Sequence, residues 1–64
     1  MVRDPKRRRM ILEAALARFS AEGYEAATTR SIAADAGVTE TVLFRHFPSK
    51  HHVFLAVISE FGPR

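Results

Sequence analysis

Apolar positions along this chain recur every three or four residues and nowhere alternate, a pattern that predicts helices and no sheet. From Pro5 to Glu22, the residues Ile11, Leu12, Ala15, Leu16 and Phe19 fall within an arc of about 140° at helical spacing. That arc is the buried stripe of one amphipathic helix, with Glu13 and Ser20 opposite it. Gly23 supplies the left-handed residue that stops such a helix, and Tyr24 starts the turn. Thr28 and Thr29 are suited to capping a second, short helix through Ile32, Ala33 and Ala36, which stops at Gly37. Thr39 is the N-cap expected for a third helix, from Glu40 to about Phe47, whose Leu43 and Phe47 share a face. Pro48 ends it and Ser49 caps the fourth helix. There Val53, Phe54, Val57, Ile58 and Phe61 again span about 140°, with Leu55 outside the arc and Gly62-Pro63 closing the helix. The expected fold is all-α, a small helical bundle of four helices.

Composition narrows the possible functions. A chain of 64 residues holds one small domain and no cleft between domains. Without cysteine there is no thiol chemistry and no Cys-based zinc site. No apolar run reaches the ~18 residues of a membrane span, and the first residues lack the apolar core of a signal peptide, so a cytoplasmic protein with no membrane partner is expected. The charge is unevenly placed. Residues 1–9 hold Arg3, Lys6, Arg7, Arg8 and Arg9 against Asp4, a local charge of +4 that leaves −1 for the rest of a chain whose formal charge is +3. A basic N-terminal arm, 1–9, joined to a near-neutral folded body, 10–61, has the electrostatics of a phosphate-binding extension, although solubility tails share it.

The informative segment is residues 28–50, two short capped helices separated by a glycine turn. In a helix-turn-helix, here expected at about 29–47, the first helix crosses the backbone and the second enters the major groove. Ala33 and Gly37 are small where the two helices must approach. With Ile32, Val38, Leu43 and Phe47 facing inward, Thr39, Glu40, Thr41, Phe44 and Arg45 are left to face solvent or a partner. Spacing alone leaves open a nucleic-acid reader, a helical protein-interaction module using Phe44, Leu55 and Phe61 as anchors, and a purely structural bundle.

Several short motifs in one register resolve that choice. Ile11-Leu12-Glu13-Ala14-Ala15 with Phe19, Gly23-Tyr24, Thr28 to Ala33, Ala36-Gly37-Val38-Thr39 and Leu43-Phe44-Arg45-His46-Phe47-Pro48-Ser49-Lys50 together resemble the N-terminal domain of tetracycline-repressor family regulators. The resemblance implies sequence-specific binding of double-stranded DNA, at a palindromic operator, by a bacterial, nucleoid-associated regulator. It most closely suggests a repressor released by a small-molecule effector. In the family the effector is bound by a larger helical domain that also forms the homodimer. The chain stops at Arg64, so that ligand-binding and dimerisation domain is expected to be missing here and the fragment to be monomeric.

By the same resemblance, Thr28 and Thr29 lie where the second helix meets the phosphate backbone, and Arg30 is placed to reach a base edge. Thr39, Glu40 and Thr41 occupy the base-reading positions, and Phe44 stands where the family usually has a tyrosine. Phe44 therefore offers van der Waals contact, for example to a thymine methyl, with no hydroxyl for a phosphate. Glu40 departs from the basic or amide residues common at its position. It can accept from cytosine N4 or, since it repels phosphate, lie outside the groove. Arg45 and His46 follow one turn on, and Lys50 directs its charge at the backbone. Arg7, Arg8 and Arg9 are expected on phosphates or in the neighbouring minor groove. His46, His51 and His52 have no i, i+4 pair on one helix face and no converging carboxylates, so neither a metal nor any other cofactor is expected. No serine, histidine and acid converge and there is no glycine-rich phosphate loop, so no enzyme is expected.

Overall fold

A computed structural model describes residues 5–62; residues 1–4 of the basic arm, and Pro63 and Arg64, lie outside the described residues. Among the described residues there are four helices and no strand: α1 Pro5–Glu22, α2 Thr29–Ala36, α3 Glu40–His46 and α4 Lys50–Phe61. The caps of α2, α3 and α4 have local chemical causes. Thr28 accepts from the Ser31 amide at 3.0 Å while the Ser31 hydroxyl accepts from the Thr28 amide at 3.4 Å, a reciprocal cap on α2. Thr39 accepts from the Val42 amide at 3.1 Å and Ser49 from that of His52 at 3.3 Å. Phe47, ahead of Pro48, is extended at φ −139° and ψ 116°, so α3 stops at His46.

The two turn glycines serve their left-handed backbone. Gly37, at φ +76°, lets its own amide reach the Ala34 carbonyl at 3.1 Å and the Val38 amide reach that of Ala33 at 3.0 Å. A Cβ at Gly37 would meet nothing within 4 Å, so its role is conformational, and the close helix approach expected of it falls to Ala33, which is 2% exposed. Gly62 is extended rather than left-handed, and a Cβ there would collide with the Ile58 carbonyl.

The core joins all four helices. Ile11, Leu12 and Ala15 of α1 meet Ile32, Ala33 and Ala36 of α2, Leu43 of α3, Phe47, and Val53 and Val57 of α4. Leu16 and Ile58 differ from the sequence reading, at 38% and 49% exposed. Both occupy the same outer edge of their helix's apolar arc, so the buried stripe is narrower than the arc in each. Phe54 leaves the main core for an aromatic group with Phe19 and Tyr24, at centroid distances of 5.6 and 5.0 Å. One ion-pair group ties α1 to α2. The Arg18 guanidinium grips both oxygens of Asp35, at 2.5 and 3.1 Å, and Glu22 at 2.7 Å. Its hydrogen bond to Arg18 holds the Asp35 carboxyl below the usual aspartate range, and Asp35 with Glu22 holds the guanidinium proton more tightly than usual.

Candidate nucleic-acid interface

The third helix is too short to fold alone, so its orientation is imposed by what it buries. Leu43 is fully buried and Phe47, which ends the helix, is 5% exposed. With those two anchored, Thr39, Thr41, Phe44 and Arg45 are exposed, as their spacing predicts. Phe44 has 42% of its surface open and stands outside the core cluster. His46 is half-buried beside the Phe47 ring, whose centroid is 6.2 Å away, and belongs to the edge of this face.

The start of α2 lies against the start of α3. The Thr29 hydroxyl donates to Glu40 Oε2 at 2.8 Å, a half-buried bond that joins two positions predicted to meet DNA. It settles the side chain's resting place: the Glu40 carboxylate is turned toward α2 instead of reaching freely into solvent. Thr28 and Thr39 are engaged as helix caps, yet both remain exposed.

The cations divide sharply. Arg30 and Arg45 are exposed and have no ion-pair or hydrogen-bond partner among the described residues. Arg7 borders the same region, lining a shallow depression with Ala34, Gly37, Val38, Thr39 and Val42. The basic cluster itself is helical from Pro5 onward, so Arg7, Arg8 and Arg9 are carried on α1. Arg8 pairs with Glu60 at 2.5 Å and lies over the Phe47 ring at 5.3 Å. Arg9 pairs with Glu13 at 3.2 Å and lies over Phe61 at 5.9 Å. Exposed pairs of this kind are worth about 0–1 kcal/mol, so a phosphate competes easily for either arginine. Lys50 is placed differently: its ammonium points into the turn between α1 and α2, 2.6 Å from the Tyr24 carbonyl.

Two features escaped the sequence reading. The Arg18–Asp35 pair bridges 17 positions, and no local pattern couples residues so far apart. The inward Lys50 had one legible sign, a cation at the first position of a helix, where the helix dipole disfavours it. Among the described residues no group of three or more His, Cys, Asp or Glu side chains is placed to hold a metal ion, and no helix is long and apolar enough to cross a membrane.

Residues 11–57 match the tetR family of bacterial regulatory proteins. The chain belongs to that family. It corresponds to the N-terminal, helix-turn-helix DNA-binding domain of tetR regulators, in four helices as expected. It is 43% identical over 54 residues to the transcriptional repressor KstR of Rhodococcus jostii, covering 84% of this chain and 26% of that protein. The transcriptional repressor AcnR of Corynebacterium diphtheriae is 40% identical over 58 residues, covering 91% and 30%. The nucleoid occlusion factor SlmA of Marinobacter nauticus is 43% identical over 54 residues, covering 84% and 28%. A solved structure of the fatty acid degradation regulator FadR from Bacillus halodurans superposes with a TM-score of 0.83 and 28% identity, covering 94% of this chain and 31% of that one. The chain thus spans under a third of the length of each of these tetR-family and related regulators. None of them is named as an enzyme.

Proposed function

We propose that this domain binds double-stranded DNA sequence-specifically, with α3 in the major groove and the start of α2 against the phosphate backbone. The supporting observation is the composition of one face: an exposed Phe44 and two arginines without a partner among the described residues, Arg30 and Arg45, surround the outward side of a helix whose inner side is locked by Leu43. Thr28, Thr29 and His46 contact the backbone, Arg7, Arg8 and Arg9 reach phosphates or the adjoining minor groove, and Arg30, Thr39, Thr41 and Phe44 meet base edges. Glu40 accepts from a cytosine N4 when the preferred site presents one.

In the whole regulator the domain acts as the reading head of a repressor, in a homodimer that sets two α3 helices about 34 Å apart on a palindromic operator. A small-molecule effector held by a further domain alters that separation and releases the DNA. The protein works in the bacterial cytoplasm, at the nucleoid. Fluorescence anisotropy with a labelled random duplex, followed by selection of preferred sites, tests the reading. Binding that weakens steeply with salt and favours a selected sequence supports it. Absence of binding at about 50 mM salt overturns it, because a protein neutralising several phosphates binds best there.

A further inference from the structure

The turn between α1 and α2 leaves backbone carbonyls that no helix satisfies. Among the described residues, those of Tyr24, Glu25 and Ala27 accept no backbone amide. All three converge on one group. Lys50 Nζ lies 2.6 Å from the Tyr24 oxygen, 3.1 Å from that of Ala27 and 3.4 Å from that of Glu25. It also stands 4.2 Å from the centroid of the Tyr24 ring. An ammonium has three N–H donors and no more, and here each faces a carbonyl while the ring face takes up part of the charge.

We propose that Lys50 is a positioning residue for DNA binding, a clip that fastens the α1–α2 turn to the start of α4 and so aims the α2 N-terminus at the phosphate backbone. The inference rests on the DNA-binding function proposed above. Ala27 is fully buried and immediately precedes Thr28, the cap of α2, so a bond to its carbonyl acts one residue from the proposed phosphate contacts. Swinging Lys50 outward to a phosphate gives up these bonds and leaves the half-buried Tyr24 and Ala27 oxygens to water.

The shape of the site separates this role from simple cationic attraction. Three carbonyls around a point demand the compact ammonium, and the planar fork of an arginine fits two parallel acceptors instead. Lys50→Arg keeps the charge and loses the clip, whereas a phosphate-binding position accepts arginine readily. Lys50→Met keeps the aliphatic stem and removes the charge.

Both variants of the 64-residue chain are compared with the parent by amide hydrogen exchange of the free protein and by duplex affinity across salt. The expected result is exchange at Ala27 and Thr28, the turn amides that donate to Gly23 and Ser31, accelerated about tenfold in both, the scale of losing a hydrogen bond to a charged group. Affinity falls several-fold in both. Tyr24→Leu, which removes the ring but no cation, shifts both readouts the same way and serves if Lys50→Met does not fold. The proposal is overturned if Lys50→Arg matches the parent in turn exchange, or if turn exchange stays unchanged in Lys50→Met; a salt slope flattened by about 0.9 with unchanged exchange marks Lys50 as a phosphate contact alone. Exchange is read without DNA, so a parent that fails to bind DNA overturns the proposed function while the clip is still judged from the turn amides.

Discussion

The arginines of α1 and those of the α2–α3 unit are chemically identical and placed in opposite ways. Arg8, Arg9 and Arg18 each meet a carboxylate of the same molecule, and two of them also cover aromatic rings. Arg30 and Arg45 meet none among the described residues. Arg18 ties α1 to α2, the exposed pairs of Arg8 and Arg9 can yield to a phosphate, and Arg30 and Arg45 have their attraction left over for another molecule. The same contrast runs through the apolar residues of α3, where Leu43 is fully buried and its neighbour Phe44 is 42% exposed. One side of each short helix fastens the fold, and the proposed DNA contacts lie on the other.

The sharpest way to break this division is to truncate those two neighbours. Leu43→Ala is expected to destabilise the fold by about 2–5 kcal/mol, the range for emptying a packed site, as measured by urea unfolding. Phe44→Ala is expected to stay within about 0.5 kcal/mol of the parent in the same measurement while weakening DNA several-fold. A large stability loss at Phe44 would mean that the face is structural.

The arginines give the next largest effect. Arg30→Ala is expected to cost about 1–3 kcal/mol of affinity for the preferred duplex and to relax its sequence preference, as for a base-edge contact. Arg45→Ala is expected to lower the salt slope by about 0.9, as for a phosphate contact. Arg18→Ala, on the scaffold side, should lower thermal stability and leave that slope where it was. Equal slopes for Arg45→Ala and Arg18→Ala would erase the distinction between the two regions.

Glu40 refines the boundary between them. Its carboxylate, held by Thr29, adds negative charge where the backbone is expected to approach, so Glu40→Gln should tighten binding to random duplex severalfold at low salt and narrow the margin for the preferred site. Unchanged affinity and preference would place the carboxylate clear of DNA.

The smallest expected effect concerns pH. Hydrogen bonding to Arg18 lowers the Asp35 pKa from its usual 3.8, so this carboxylate supports the fold above that value and loses its contribution as pH falls through the lowered one. Asp35 is exposed, so the contribution is modest. Asp35→Asn should therefore unfold over a less acid-sensitive range than the parent when thermal midpoints are compared below about pH 4. Identical acid profiles would show that the α1–α2 pair contributes nothing.

Much of this architecture is legible in the amino-acid sequence. Helix boundaries came from single residues with one dominant preference: threonine and serine caps, left-handed glycines, and Pro48 acting on Phe47. The outward face of α3 followed from placing Leu43 and Phe47 inward, since four-residue spacing leaves their neighbours no other direction. Less legible was where long side chains end. Leu16 and Ile58 lie at the edges of their arcs, where burial depends on whether a second helix extends that far. Lys50 and Glu40 each have enough reach to face DNA or the protein, and their spacing is the same either way.

Taken alone, the chain's order of residues determined four helices, the inner and outer sides of the third, and the family, because those depend on local backbone preferences and short-range periodicity. Tertiary structure alone decided that Lys50 turns into the α1–α2 loop, that Glu40 rests against Thr29, and that Arg18 reaches Asp35. Each joins groups distant in sequence whose meeting depends on how the helices pack, and no local preference of the chain specifies that geometry.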